Sequence, residues 1–348
     1  MRHDYSVKFL SQEDLVKAGC LDFETVIKVC ENALVKEALG DGLFPEKSTM
    51  VFDQETQSRV NCLPAGGFSE EVCGVKWVSV FPNNPLNYKL PNLSALLLLS
   101  SLKTGVPFAV LDGGLLTGLR TAAVGAIAAK YLAKSSAESI GIIGAGEQAK
   151  FHLLSMLHVF PRIKLCKVSS RSKLSEMNFI KQMKIFKPDV EFVSCQMSPE
   201  SAVVDSDIIV TAISEQSQVL KAEWISAGAF YCHVAGLEDE YSVPLKADKI
   251  VCDRWKFVKN REQTISQMYK EGLLSDGDIY ADLFEIISGL KVGRENDSEF
   301  IYFNSVGLPL IDILLGNWMY KRCFDQQVGT DVCMRESSVF ELSPQNWT

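Results

Sequence analysis

The chain lacks several features that would decide its class at once. It has no excess of basic charge: 35 Lys and Arg stand against 43 Asp and Glu, a net charge of −8. That balance gives no electrostatic footprint for nucleic acid. It has no long hydrophobic run. The longest, Leu93 to Leu102, is interrupted by serines and falls short of the roughly 20 residues a membrane helix needs. The opening Met1-Arg-His-Asp-Tyr-Ser6 has no apolar signal-peptide core. The ten cysteines include no C-x-x-C pair, and the four histidines (His3, His152, His158, His233) show no metal-ligand spacing. His152 and His158 are six apart and do not share a helix face at an i, i+4 step, so a structural or surface role suits both. These absences lead to the expectation of a cytoplasmic protein with reduced thiols, no metal, no nucleic acid and no membrane segment. No internal repeat or low-complexity tract occurs.

What is present is an ordinary globular composition, 47% hydrophobic and 22% charged, in 348 residues. That length favours two domains. The most informative stretch is Ser139-Ile-Gly-Ile-Ile-Gly-Ala-Gly-Glu-Gln-Ala149, which reads as a buried strand, a glycine turn and a helix start. Gly144, Gly146 and Ala149 have the spacing of the dinucleotide-binding fingerprint. Gly144 lets the chain leave the strand sharply, Gly146 admits a pyrophosphate to the backbone, and Ala149 lets helix and strand pack closely. Ala145, Glu147 and Gln148 complete this loop, and the helix N-terminus favours phosphate. A helix from about Glu147 to Phe160 and a strand at Lys164–Ser170 complete a βαβ unit. Further short β-rich runs follow at Glu191–Ser194, Asp207–Ala212, Ala229–Ala235 and Lys249–Cys252. The alternation predicts a parallel sheet covered on both faces. Thr211, Ala212 and Ile213, at the carboxyl end of one run, are expected to line the cofactor.

The end of the second strand reads Ser169-Ser-Arg-Ser-Lys173 and holds no acid of the kind NAD-binding folds place there. Arg171 suits a 2′-phosphate, and Ser170 and Ser172 can donate to it. The expected cofactor is NADP(H), with NAD(H) as the alternative.

The region before residue 138 is large enough for a domain of its own. It is expected to hold a helix at Asp22–Leu39, strands at Lys47–Phe52, Ser58–Leu63, Val72–Phe81 and Ala95–Leu99, a hairpin partner at Phe108–Leu111, and an Ala-rich helix at Gly118–Leu132. A last long helix, about Leu310 to Gln327, precedes a polar tail. The expectation is an α/β protein. A doubly wound Rossmann domain (126–307) is inserted into an α+β substrate-binding and dimerisation domain (1–125 plus 308–348).

Four pieces of sequence carry a resemblance. They are Gly74-Val-Lys-Trp-Val78 with Pro82-Asn-Asn-Pro85, Leu119-Arg-Thr-Ala-Ala123, Ile143-Gly-Ala-Gly146, and Gly293-Arg-Glu-Asn296 with Phe303-Asn-Ser-Val-Gly307 and Asp312. In this order they resemble the ornithine cyclodeaminase/mu-crystallin family along almost the whole chain. The resemblance implies NAD(P)-dependent chemistry at the carbon–nitrogen bond of a small amino or imino acid, and a homodimer formed through the sheet of the substrate domain. Val251-Cys-Asp-Arg-Trp255, Asn260-Arg261 and the tail around Gly329-Thr330 look most like the family's dehydrogenases. Those release 2,3-diaminopropionate for siderophores and peptide antibiotics from N-(2-amino-2-carboxyethyl)-glutamate. Ser169–Lys173 is more similar to the family's NADPH-using ketimine reductases.

The resemblance also implies roles. Arg120 matches the family's carboxylate clamp, and Thr121 can add a hydroxyl. An Arg at a helix start, against the dipole and amid apolar neighbours, asks for an anion. Lys76 is expected to face the substrate and move a proton or bind its carboxylate, although a strand Lys also fits a solvent face. Lys47, in Phe44-Pro-Glu-Lys47, is a second cation. In Val234-Ala-Gly-Leu-Glu-Asp-Glu240, Glu238 or Leu237, depending on where a gap is placed, takes the position where cyclodeaminases carry the Asp that handles the side-chain amine. One of Glu238, Asp239 and Glu240 is expected to meet a cationic substrate group, with Glu238 as the candidate. Asn304, Ser305 and Gly307 are expected beside the nicotinamide. The readings that follow are an amino acid dehydrogenase or imine reductase, a cyclodeaminase-type lyase that recycles its NAD, and a non-catalytic binding protein of mu-crystallin type.

Overall fold

The computed structural model describes residues 5–214 and 216–336; His3 and the tail beyond 336 lie outside the described residues. The chain folds into two compact units. One comprises 1–22, 39–117 and 309–348, the other 23–38 and 118–308. The expected boundary at 125/126 is therefore drawn earlier, between Thr117 and Gly118, and the helix Phe23–Ala38 groups with the second unit. It packs there on the helices Glu147–Val159 and Leu283–Ile287.

The first unit is built on a sheet of strands β1 (Tyr5–Leu10), β2 (Gly42–Leu43), β3 (Ser48–Asp53), β4 (Ser58–Gly67), β5 (Val72–Val80), β6 (Leu93–Ser101), β7 (Pro107–Asp112) and a final strand, Thr330–Arg335. Its order is final strand–β1–β7–β6–β5–β4–β2, with β3 also on β4. β4 to β7 form an antiparallel meander, as the expected hairpin requires. The stretch expected as polar tail thus contains a strand, paired antiparallel with β1.

Side chains alternate across this sheet with the two-residue period of a strand. Leu63, Lys76, Leu97, Leu111 and Leu10 stand directly opposite one another, and all are buried. The neighbouring row contains Trp77 opposite Leu96, and both are about half exposed. The helix Pro309–Asp325 covers the buried face. Gly316 leaves its backbone room against Leu97, whose Cδ2 lies 2.0 Å from where a Cβ would stand.

In the second unit, β8 (Ser139–Ile143), β9 (Leu165–Ser169), β10 (Glu191–Ser194), β11 (Ile208–Thr211), β12 (Phe230–His233), β13 (Lys249–Cys252), β14 (Ala281–Asp282) and β15 (Ile301–Asn304) make a parallel sheet. The order is β10-β9-β8-β11-β12-β15-β13-β14. Every residue of β8, β11, β12, β13 and β15 is buried, which is why these strands read as continuous apolar runs. The strand order reverses between β8 and β11. The crevice outside the carboxyl ends at such a reversal is where open α/β sheets bind ligands. Among the described residues, no helix is long and apolar enough to cross a membrane.

Candidate functional site

The glycine turn lies at that reversal. Gly144 adopts φ +120°, and a Cβ there would stand 2.4 Å from the Ala212 carbonyl oxygen. Its N–H donates to the Ser169 carbonyl at 2.8 Å, and Ala212 N–H donates to Ile143 at 2.9 Å. The turn is therefore wedged between the ends of β9 and β11, and only glycine fits. Gly146 caps the helix Glu147–Val159 without a side-chain bond, and nothing lies within 4 Å of where its Cβ would be. Ala145, Gly146, Glu147 and Gln148 border this open space, while Ala149 is fully buried against the sheet. Glu147 forms an ion pair with Lys150 at 2.8 Å. A helix N-terminus with clear backbone fits a pyrophosphate.

At the end of β9, Ser170 Oγ donates to the Ser172 carbonyl, and Ser172 Oγ accepts from Ser175 N–H as the cap of the helix Lys173–Phe186. Arg171 is exposed at the tip. Glu176, one turn into this helix, is fully buried and faces inward. It accepts from the N–H groups of Ser170, Gln196 and Met197 and from the Ser194 hydroxyl. Glu176 is thus committed to the loops after β9 and β10.

Glu238 departs from its expected role. It is fully buried, and its oxygens accept from Thr211 Oγ1 at 2.7 Å, Ile213 N–H at 3.0 Å, Ala235 N–H at 3.0 Å and Val234 N–H at 3.2 Å. It ties the loop after β11 to the loop after β12 instead of presenting a carboxylate to a substrate amine. Asp239, also buried, lies 3.3 Å from His233 Nε2 and accepts from Thr264 Oγ1 at 2.9 Å. Burial pushes its carboxyl up to about 6, against the pull of His233. His152 is fully buried with Nδ1 2.8 Å from the Gln148 carbonyl oxygen, and burial lowers it to about 4. His158 is exposed.

Asn304, at the end of β15, donates to Gln263 at 2.9 Å, and Gln263 donates to the carbonyls of Ala235 and Ser305. This second tie, which the sequence reading did not single out, joins the loops after β12 and β15. Gly307 follows at φ +76°. A Cβ on it would stand 1.9 Å from Arg120 Nη1, so the guanidinium lies directly over its backbone. Arg120 is 9% exposed, and Thr121 is half-buried. Their helix begins at Gly113, not Gly118, so Arg120 is about two turns inside it. The argument from an opposing helix start therefore lapses. The bed of Gly307 takes its place.

In the first unit, Lys76 is fully buried and not on a solvent face. Its ammonium donates to Asp312 Oδ1 at 2.6 Å. Asp312, on the helix Pro309–Asp325, was quoted only as part of a resemblance. An acid in the run Leu310-Ile-Asp-Ile-Leu314 was the available signal. Lys47 is half-buried with Nζ 3.4 Å from Asn61 Oδ1, which also accepts from Thr49. Among the described residues, no group of three or more His, Cys, Asp or Glu side chains could hold a metal ion.

Comparison with known proteins places this geometry. The chain is 28% identical over 326 residues to N-((2S)-2-amino-2-carboxyethyl)-L-glutamate dehydrogenase of Staphylococcus aureus, covering 92% of this chain and 97% of the relative. It is similar to the structure of Thermococcus litoralis Delta(1)-pyrroline-2-carboxylate reductase in complex with NADH and L-proline. That match has TM-score 0.89 at 31% identity and covers 94% of this chain and all of the other. An archaeal alanine dehydrogenase dimer with bound NAD is similar at TM-score 0.86 and 30% identity, over 95% of this chain and all of the other. Residues 8–327 match one family from end to end, and they span the glycine turn, Lys76, Arg120 and the Asn304–Gly307 loop. The chain belongs to the ornithine cyclodeaminase/mu-crystallin family.

Proposed function

We propose that the protein is an NAD(P)-dependent oxidoreductase acting on the C–N bond of a small amino acid or its imine. The observation that carries this reading is the glycine turn at the strand-order reversal, with clear space over Gly146 at a helix N-terminus. The nicotinamide supplies the hydride chemistry when bound. The protein's own residues bind and orient. Gly144, Ala145, Gly146, Glu147 and Gln148 hold the pyrophosphate through backbone. Thr211, Ala212 and Ile213 line the crevice, and Asn304, Ser305 and Gly307 border the ring. Arg120 holds the substrate carboxylate bidentately, assisted by Thr121, and Lys47 offers a second cation. Lys76, held by Asp312, moves the proton at the substrate nitrogen.

Ser170, Arg171 and Ser172 favour NADP(H) over NAD(H), and Glu176, a buried acid on the helix that follows, is turned inward onto four donors. The oxidoreductase reading is preferred to a cyclodeaminase because Glu238 is committed to the loops after β11 and β12. Within the reading, N-(2-amino-2-carboxyethyl)-glutamate oxidised to release 2,3-diaminopropionate is one substrate to test, and a cyclic imine such as pyrroline-2-carboxylate is another. We further propose a homodimer, supported by the half-exposed Trp77 and Leu96 on the uncovered sheet face, in a cytoplasmic setting.

The test is net absorbance of reduced nicotinamide with each substrate, alongside ammonia release from ornithine. An oxidoreductase forms or consumes NAD(P)H. Ammonia release with no net change of the cofactor would overturn the proposal. Arg120→Ala that leaves turnover of every accepted substrate intact would remove Arg120 from the site.

A further inference from the structure

The geometry points to Asp253 as a positioning residue that sets the Arg120 guanidinium through the turn Ser305–Gly307. The inference rests on the proposed carboxylate-binding role of Arg120.

Asp253 immediately follows β13 and is 1% exposed. One of its carboxylate oxygens, Oδ2, accepts three bonds from consecutive residues of the loop after β15. They come from Ser305 Oγ at 2.9 Å, Val306 N–H at 2.8 Å and Gly307 N–H at 2.7 Å. The other oxygen accepts from Arg254 N–H at 2.7 Å. Asp253 N–H in turn donates to the Asn304 carbonyl at 3.0 Å. The loop is wrapped around a single anionic oxygen, so its shape depends on that oxygen. Charge-assisted bonds of this kind are about twice as strong as neutral ones. Burial raises the Asp253 carboxyl, and the three loop donors with Arg254 N–H hold it down.

Gly307 ends the turn in the left-handed region, and the guanidinium of Arg120 occupies the space a side chain would take. The chain of action is short: Asp253 fixes the Gly307 backbone, and that backbone is the surface on which the guanidinium rests. Asp253 touches neither Arg120 nor, by this reading, the substrate. It acts by keeping the two forked N–H groups of Arg120 aimed.

The prediction concerns how binding and turnover divide. Asp253→Ala is expected to raise the substrate KM about tenfold or more, since displacement of a clamp by an ångström costs up to about a hundredfold. The NADPH dissociation constant, read by nicotinamide fluorescence, is expected to rise by a smaller factor, because only the ring contacts at Ser305 and Gly307 depend on this turn and the pyrophosphate contacts at Gly144 to Gln148 do not. Asp253→Asn keeps the volume and one acceptor and is expected to fall between wild type and Ala. It also serves if the Ala variant fails to fold. The decisive measurement is a double-mutant cycle with Arg120→Lys. If Asp253 acts through Arg120, its substitution adds little once the guanidinium is gone. Additive losses of KM, or a weakened NADPH affinity with unchanged substrate KM, would overturn the positioning role and leave the Arg120 reading standing. Arg120→Lys with wild-type KM would overturn both.

Discussion

Lys76 in the first unit and Glu238 in the second are both fully buried charges, and the protein satisfies them in opposite ways. Lys76 interrupts an aliphatic row of Leu63, Leu97, Leu111 and Leu10 and is met by the opposite charge of Asp312, on a helix 236 residues along the chain. Glu238 is answered by a hydroxyl and three backbone N–H groups, from positions 211, 213, 234 and 235, with His233 Nε2 farther off at 3.7 Å. A long-range ion pair couples a strand to the helix that covers it. A carboxylate held by backbone dipoles instead defines the shape of loops. The first arrangement suits a residue that must hold a proton or a charge at a fixed point, and the second suits a crevice whose walls are backbone.

The largest expected effect tests the ion pair. Asp312→Ala removes the carboxylate to which Lys76 Nζ donates, and removal of one member of a buried pair costs about 3–5 kcal/mol. Denaturant unfolding of Asp312→Ala against the double variant Lys76→Met, Asp312→Leu checks this. The double variant should recover most of the loss. Equal losses in both would mean that packing, not charge, dominates.

Glu37 represents a third way of meeting burial. It is 4% exposed, its Arg254 partner is 3.1 Å away, and burial still pushes its carboxyl up to about 7. Since the folded value is raised, the favourable contribution is full below the unfolded value near 4.5 and is lost as pH rises through about 7. At about 1.4 kcal/mol per unit, the loss is on the order of 3 kcal/mol. Unfolding free energy measured from pH 4.5 to 8 should fall for wild type relative to Glu37→Gln. Parallel curves would refute this assignment.

A smaller effect is expected at Glu238. Glu238→Gln keeps one accepting oxygen and presents an amide to donors, so about 1–3 kcal/mol of stability should be lost. Cofactor affinity should weaken with it, because the affected N–H groups belong to the crevice loops. Calorimetric titration of NADPH checks that coupling. Unchanged affinity would separate Glu238 from the crevice. The smallest effect is expected at exposed Arg171. Arg171→Ala should weaken NADPH by about tenfold, about 1.4 kcal/mol, and leave NADH unchanged. Tighter NADH than NADPH in the unaltered protein would remove the cofactor argument altogether.

The two units also differ in how far they can be read from sequence. In the second, strands buried on both faces appear as continuous apolar runs, so β13 is placed with its observed ends and β8, β9, β11 and β12 within a few residues. The edge strand β10 is also placed with its observed ends, while the two-residue β14 gives no such run. The first unit's meander was legible through alternation and its turn. What escaped depends on distant partners. β1 gains its identity from pairing with β7 and the final strand, the final strand gains its own from β1, and the final strand is exposed along its whole length. The helix Lys173–Phe186 buries only Glu176, Phe179 and Met183 and leaves Leu174, Met177, Ile185 and Phe186 exposed, so its apolar residues do not mark one face. In the site, the residue types were visible, but the direction of a carboxylate was not. Glu238 and Glu176 turn inward because backbone donors await them there, and nothing in their neighbours' identity announces that.

The pairing of β1 with the final strand has a consequence for how the protein is made. Lys8 and Asp331, joined at 2.8 Å, are 323 residues apart. On the ribosome, the second unit's parallel sheet has all its strands once residue 304 has emerged, whereas the first unit's sheet waits for residues 330–335. Its β1 to β7 must persist as an open-edged sheet through most of translation, without the helix at Pro309–Asp325 that covers it. Contacts of such long separation are slow to form, and uncovered edges are where newly made chains aggregate. The helix therefore ends the exposure of the face, and the last strand then covers the β1 edge and takes the edge position itself.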